Sequence, residues 1–328
     1  MDDEILQILR ENPREYLSGE AIRRTLKVSR TAVWKRVKRL RASGYEIEAS
    51  RRLGYRLTRS PDLLTASELK PLLKTRWMGK VIHYFRTIDS TNGEAYRLAL
   101  NGASEGEIVI AESQEKGRGR LGRHWVSPPF VNLYLSVILQ PPIAPSQASL
   151  MTLMAAVAVT EGIEAYSGLQ AIIKWPNDIL LKNRKVAGLL NEIHSEMDRI
   201  HFVILGIGVN LNMEGAMFPK EIRSAATSLK QETGQPVSRK EVVQCVLSAL
   251  EKWYDTFLKE GGDRILEAWK DRAQIKGKPV RVTSFGETLM GRAVDIDSEG
   301  RLIIETKGGE QKRVVAGDIE YVKRVNGQ

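Results

Sequence analysis

Cysteine is nearly absent from these 328 residues. Cys245 stands alone, so no internal disulfide framework is possible, and the chain suits a reducing cytosol. Histidine is scarce too. His83, His124, His194 and His201 lack the spacing of metal ligands. Long apolar runs are missing. The longest uncharged stretch, 125–160, is broken by Pro128, Pro129, Pro141, Pro142 and Pro145, so it does not read as a membrane span. The acidic start, Met1-Asp2-Asp3-Glu4, does not read as a signal peptide. No low-complexity tract occurs. The expected setting is therefore cytoplasmic, without a membrane partner. Hydrophobic residues make up 42%, enough for packed cores, and the length suggests two or three domains.

What is present is charge, unevenly placed. The net charge is +10, yet residues 23–59 alone hold 13 Lys and Arg against 2 Glu. The remainder is close to neutral. A local basic block is an electrostatic footprint for a polyanion. Around it, the pattern predicts a helix over Asp2–Glu11, a second capped by Ser18 and ending near Leu26, and a third capped by Ser29. Val33, Val37 and Leu40 give the third its buried stripe, and Gly44 stops it. Two strands follow, Tyr45–Ala49 and Tyr55–Leu57, joined by a turn with Arg51, Arg52 and Gly54. Three helices and a hairpin make a winged helix-turn-helix, with the DNA-reading motif at about 19–38. Arg30, Thr31, Lys35, Lys38 and Arg39 would face the major groove, and Arg51 and Arg52 would tip the wing. A solvated charged helix is the plainer alternative. Lys27 departs from the motif, standing where Gly is common. Pro61 marks a plausible linker.

The stretch KGRGRLGRHW, 116–125, fits two phosphate-binding templates and fails both. The dinucleotide fingerprint needs a helix directly after it and an acidic residue about 20 positions on. Here Pro128-Pro129 and an alternating strand (Leu133, Leu135, Val137, Leu139) follow, and no Asp or Glu occurs between Lys116 and Thr160. A P-loop needs Lys then Ser or Thr, but Arg123-His124 stands there. What remains is a cationic glycine loop between strands. Its arginines, 118, 120 and 123, offer planar forks to phosphate oxygens; a plain basic turn is the alternative. Four cations so close should repel one another and keep the loop moving until an anion binds.

Strands are predicted at 80–88, 107–114, 171–175, 178–182, 185–193 and 200–209. Helices are predicted at 91–101, 146–166 and 240–258. Consecutive strands on short turns argue for an antiparallel or mixed sheet in an α+β domain. Asp89-Ser90-Thr91-Asn92 falls at a strand-to-helix junction. Lys174-Trp175-Pro176-Asn177-Asp178 brings an ammonium, an amide and a carboxylate to a strand bend.

Taken in order, STN at 90–92, Gln114 with GRGRLGR at 117–123, KWPND at 174–178, KVAG at 185–188 and GIGVN at 206–210 resemble the biotin protein ligase family. With a winged helix in front, the chain resembles its bifunctional members, ligases that also repress biotin genes. The resemblance implies three domains. They are a winged helix-turn-helix at 1–62, a class II synthetase-like α+β catalytic domain at 63–272 and a small SH3-like β-barrel at 273–328. It implies that ATP and biotin form biotinyl-5′-AMP, with magnesium, and that a lysine of a biotin carboxyl carrier domain displaces AMP. It implies binding roles for Ser90, Thr91, Asn92, Gln114, Arg118, Gly119, Arg120, Arg123, Lys174, Asn177, Lys185, Gly188 and Asn210. Lys185, Arg118, Arg120 and Asp178 would be catalytic, with Asp178 the candidate magnesium ligand. Trp125 or Phe218 would meet adenine. Operator DNA and a ligand-promoted homodimer are the further partners expected. The alternatives are lipoate attachment, or a ligand-sensing repressor without ligase activity. Cys245, in a predicted helix away from every motif, reads as packing.

Overall fold

The computed structural model describes residues 2–50, 52–284, 287–315 and 317–321. The chain divides into two compact units, Met1–Leu63 and Leu64–Gln328.

The first unit follows the predicted order: α1 (Asp2–Glu11), α2 (Gly19–Leu26), α3 (Arg30–Ala42), β1 (Glu46–Ser50) and β2 (Gly54–Arg59). Ser18 Oγ accepts the Ala21 N–H at 3.0 Å and Ser29 Oγ the Ala32 N–H at 3.1 Å, so both caps close otherwise orphaned donors. Ile5, Leu6, Leu9, Ile22, Val33, Val37, Leu40, Tyr45 and Ile47 form the core. Lys27 ends α2 in the left-handed region at φ 52. That is the conformation glycine adopts freely, and it costs a side-chain residue about 1 kcal/mol. The departure from the motif is therefore a local strain and leaves the turn intact. Gly54 is required where it stands: a Cβ there would lie 2.0 Å from the Leu17 carbonyl oxygen, because Leu17 and Tyr55 exchange backbone hydrogen bonds at 2.8 and 2.9 Å. That exchange ties the turn between α1 and α2 to the wing.

The second unit carries α4 (Ala66–Leu69), β3 (Ile82–Phe85), α5 (Thr91–Leu100), β4 (Ile108–Ala111), β5 (Leu133–Leu139) and α6 (Ala148–Ser167). Then come β6 (Ile172–Lys174), β7 (Asp178–Leu181), β8 (Arg184–Ser195), β9 (Ile200–Val209), α7 (Leu229–Thr233), α8 (Arg239–Glu260) and α9 (Gly262–Ala273). The strands form a seven-stranded sheet in the order β3-β4-β5-β9-β8-β7-β6, parallel only between β3 and β4. This is the mixed sheet that the short turns implied. Leu133, Leu135, Val137 and Leu139 of β5 point into the main core with α6 and α8, while Ile138 joins Ala95 and Ala99 of α5 on the other face. Gly162 lets α6 and α8 touch: a Cβ there would stand 2.8 Å from Val246 Cα. By length and composition, the helix from Pro145 to Ser167 is apolar enough to cross a membrane, but 67% of its apolar window is buried inside the fold. Beyond Leu189, β8 has a neighbouring strand only on the β9 side among the described residues.

The last strands are β10 (Pro279–Ser284), β11 (Glu287–Ile296), β12 (Leu302–Glu305), β13 (Gln311–Val314) and β14 (Asp318–Tyr321). They make an antiparallel sheet ordered β13-β12-β11-β10-β14. Its end strands do not pair with each other among the described residues, so no closed barrel is found there. Val280, Val282, Leu302 and Ile304 belong to the same core as α6, so this sheet shares the core of the second unit.

Candidate functional site

The motifs of the central domain converge on one cavity of about 420 Å³. Its floor is the start of α5. Ser90 caps that helix, and Ser90, Thr91 and Asn92 are all buried. Gln114 Oε1 accepts from the Thr91 N–H at 2.9 Å and the Thr91 hydroxyl at 3.1 Å, while its Nε2 donates to Ser127 Oγ at 3.1 Å. Ser136, in mid-β5, has its Oγ 2.8 Å from Thr91 Oγ1 and donates to Asn92 Oδ1 at 2.6 Å. Asn92 Nδ2 donates to Glu192 Oε2 at 2.8 Å and to the Leu190 carbonyl at 3.2 Å. The result is a fixed set of hydroxyl, amide and carboxamide groups, suited to orienting a small polar ring system.

One wall is glycine. A Cβ on Gly206 would lie 2.2 Å from Asn92 Oδ1, and one on Gly208 would lie 2.5 Å from the Trp125 ring. A Cβ on Gly188 would sit 3.0 Å from both Trp125 and Lys185. The glycines of GIGVN and KVAG thus exist so that Trp125 and Asn92 can lie against the strands. Lys185 Nζ stands 5.3 Å over the Trp125 ring centroid and pairs with Asp178 Oδ1 at 2.5 Å. Indole, ammonium and carboxylate therefore form one block at the centre of the site.

The glycine loop covers this block in a compact turn, and its cations find partners that offset the repulsion expected from its charge. The Gly119 N–H donates to the Arg123 carbonyl at 2.7 Å around a 3-10 turn at Arg120–Gly122. Each cation has a partner within the fold. Lys116 pairs with Asp89 at 2.7 Å, Arg118 with Glu192 at 3.5 Å, and Arg123 with Asp318. Arg120 donates to Asn177 Oδ1 at 3.3 Å and to the Gly317 carbonyl at 3.4 Å. Burial pushes the Arg120 guanidinium below its ordinary value, against the pull of Asp318 and Asp178. Internal acceptors, distant in sequence, cancel the repulsion that the sequence implied. Gly117 is needed for the turn, since a Cβ would meet the Trp125 carbonyl oxygen at 2.5 Å.

The remaining named residues divide. Lys174 and Asn177 line the cavity, and Asn177 Nδ2 donates to the Leu189 carbonyl at 2.6 Å. Asn210 borders the cavity but is buried, and its Nδ2 donates to the Thr227 carbonyl at 3.0 Å. Phe218 also borders the cavity, buried with Met213 and Ala226. Cys245 is half-buried in α8, where desolvation raises its thiol, and it is not among the cavity residues. Glu192, Ser136, Asp318 and Tyr321 belong to the site and were not foreseen. Glu192 follows KVAG on the same strand and had that much signal; Asp318 had none. No group of three or more His, Cys, Asp or Glu that could hold a metal occurs among the described residues.

In the first unit, Arg30, Thr31, Lys35, Lys38 and Arg39 all stand exposed on α3, and Arg52 is exposed on the wing. Arg51 lies outside the described residues.

Three family profiles match. They are the Biotin/lipoate A/B protein ligase family at 84–210, an HTH domain at 3–56 and the Biotin protein ligase C terminal domain at 276–321. The Bifunctional ligase/repressor BirA of Bacillus subtilis is 41% identical over 317 residues, 97% of each chain. The chain belongs to the family of bifunctional biotin ligase/repressors. The Escherichia coli member is 30% identical over 295 residues, 90% of this chain and 89% of that one. Among solved structures, the biotin protein ligase of Aquifex aeolicus in complex with biotin and ATP superposes with TM-score 0.63 at 29% identity. It covers 74% of this chain and 98% of that one. The family's motifs are thus the ones that build the cavity.

Proposed function

We propose that this chain joins biotin to a lysine of a biotin carboxyl carrier domain at the expense of ATP, and represses transcription through its first unit with biotinyl-5′-AMP as corepressor. One observation carries the ligase reading: the polar floor, the Lys185–Asp178–Trp125 block and the arginine loop surround a single cavity. The bicyclic ureido head of biotin meets Thr91, Asn92 and Gln114, and its chain runs towards Lys185. The biotin carboxylate attacks the α-phosphorus of ATP, and the bond to the bridging oxygen of pyrophosphate breaks. Negative charge gathers on the α-phosphoryl oxygens, where Lys185, Arg118 and Arg120 stabilise it by position and charge. The lysine amine of the acceptor then attacks the acyl carbon, AMP leaves with the bonding pair, and the amine loses a proton. Arg123 and the loop keep water from the mixed anhydride meanwhile. Trp125 offers adenine its face.

A resident magnesium does not fit Asp178, whose carboxylate is paired with Lys185. A metal ion travelling with the triphosphate is the form compatible with this site, and no step above passes through it. Asn210 serves by holding residue 227 in place, beside the phosphate side of the cavity. The boundary between catalytic and C-terminal domains is placed at 272/273. The dimer is proposed to form along the unpaired stretch of β8 beyond Leu189, with a second copy extending the sheet.

The test is biotin-dependent exchange of labelled pyrophosphate into ATP, followed by transfer of labelled biotin to a carboxyl carrier domain. Transfer of biotin and not lipoate is expected. Transfer of lipoate alone, or neither, would remove the ligase reading.

A further inference from the structure

Trp34 is the largest apolar side chain that the first unit leaves in solvent, 53% exposed. The fold makes no use of it. The buried stripe of α3 is Val33, Val37 and Leu40, and the indole points away from that core. It stands among the cations instead, in line with Thr31 and Lys38, and Lys38 Nζ lies 5.4 Å over its ring. It occupies the second turn of the helix, and in helix-turn-helix units the early residues of the recognition helix reach base edges.

The composition of that helix sharpens the point. Its sequence, RTAVWKRVKRLRA, contains no Asn, Gln, Asp or Glu. A carboxamide is the usual reader of adenine, and a carboxylate the usual acceptor from cytosine. Arginine and lysine read guanine or hold phosphates. With no amide or carboxylate side chain on this face, A·T pairs are left to the Thr31 hydroxyl and to apolar contact with the thymine C5-methyl group. Thr31 and Trp34 are the exposed side chains able to make it.

We propose that Trp34 reads a thymine methyl in the major groove and sets the sequence preference of this unit. The assignment rests on the reading of the first unit as DNA-binding, and adds the residue that distinguishes one sequence from another. The cations supply affinity for any duplex, and the indole supplies choice.

The experiment uses the full chain with biotin and ATP. A duplex is selected by the wild-type protein from a random pool, and a scrambled duplex of equal composition is the control. W34A should weaken binding to the selected duplex about tenfold, the cost of one lost base contact. Binding to the scrambled duplex should stay within about twofold, and the dependence on salt should not change, because no charge is removed. Replacing thymine by deoxyuridine one position at a time should reveal a site where wild-type binding falls several-fold and W34A binding does not. W34F should keep most of the preference, since it keeps a ring. Equal loss on both duplexes, no loss, or sensitivity to deoxyuridine that W34A shares would overturn the assignment. So would a change in self-association of W34A without DNA. If the wild-type protein itself prefers no selected duplex, the DNA-binding reading falls and takes Trp34 with it.

Discussion

The recognition helix and the glycine loop are about equally cationic, and they hold their charge in opposite ways. On α3, Arg30, Lys35 and Lys38 stand exposed on a helix without a single acidic residue. In the loop, Lys116, Arg118 and Arg123 each lean on a carboxylate, and Arg120 on an amide and a carbonyl. An open field suits a long polyanion, which meets many charges at once and is held by released counterions. A paired loop suits one small anion. The ligand must exchange with acceptors already present, so the free protein pays little repulsion and the bound state gains only the difference. Net charge alone marks both regions as anion sites; the partners of each cation show which kind.

The comparison is most sharply tested at the centre of the cavity. Lys185→Ala should lower biotin-dependent pyrophosphate exchange about a hundredfold or more, as loss of one preorganised charge contact costs roughly 2.7 to 4 kcal/mol. Its binding to scrambled DNA should be unchanged. The converse change, Lys35→Ala with Lys38→Ala, should leave exchange intact and make the salt dependence of DNA binding shallower by about two logarithmic units per unit. Filter binding across a salt series reads this, and an unchanged slope would place the polyanion elsewhere.

Acid should weaken the ligase unit through one buried carboxylate. Burial pushes the Glu251 carboxyl up, but N–H donors from Arg76, Met78 and Trp77, together with the Arg76 charge, outweigh it and hold the group below its ordinary value. A depressed folded value means stability that is present above the usual carboxylate range and lost as pH falls through it. The ligase unit should therefore melt earlier below about pH 4.3, and Glu251→Gln should flatten that part of its melting profile. The smallest effect is expected at Asp318→Asn. It removes the negative charge that competes with the proposed ligand for Arg123, so adenylate should dissociate more slowly, by up to about fivefold for so exposed a pair. Stopped-flow fluorescence measures it; faster release would show that Arg123 keeps Asp318 when the ligand is bound.

The winged helix was legible because its signals are local: two serine caps, one apolar stripe and a glycine stop. The alternating Leu133 to Leu139 likewise told its own strand, and the motifs named in order line one cavity. α9 and the short α4 and α7 were not seen, since their apolar faces are set by the core they meet. The pairing of the loop was hidden for a related reason. Asp318 lies 195 residues from Arg123, and Gly317 lies 197 from Arg120, and only the packing of the small sheet within the second unit joins them. Trp34 was passed over because the charged residues beside it account for DNA affinity without it, while the absence of amide and acidic side chains on that helix carries information about specificity.

The two cationic regions are proposed to act together, the loop ordering a dimer once the adenylate is held, and the dimer presenting two helices to two half-sites. Operator affinity at fixed salt, measured for the free and the adenylate-bound protein beside sedimentation of both, tests this most directly. The account predicts tighter operator binding and stronger self-association with the adenylate, by about 5- to 150-fold, the usual range of such coupling. Equal affinity and equal association in the two forms would contradict it, even with biotin transfer intact.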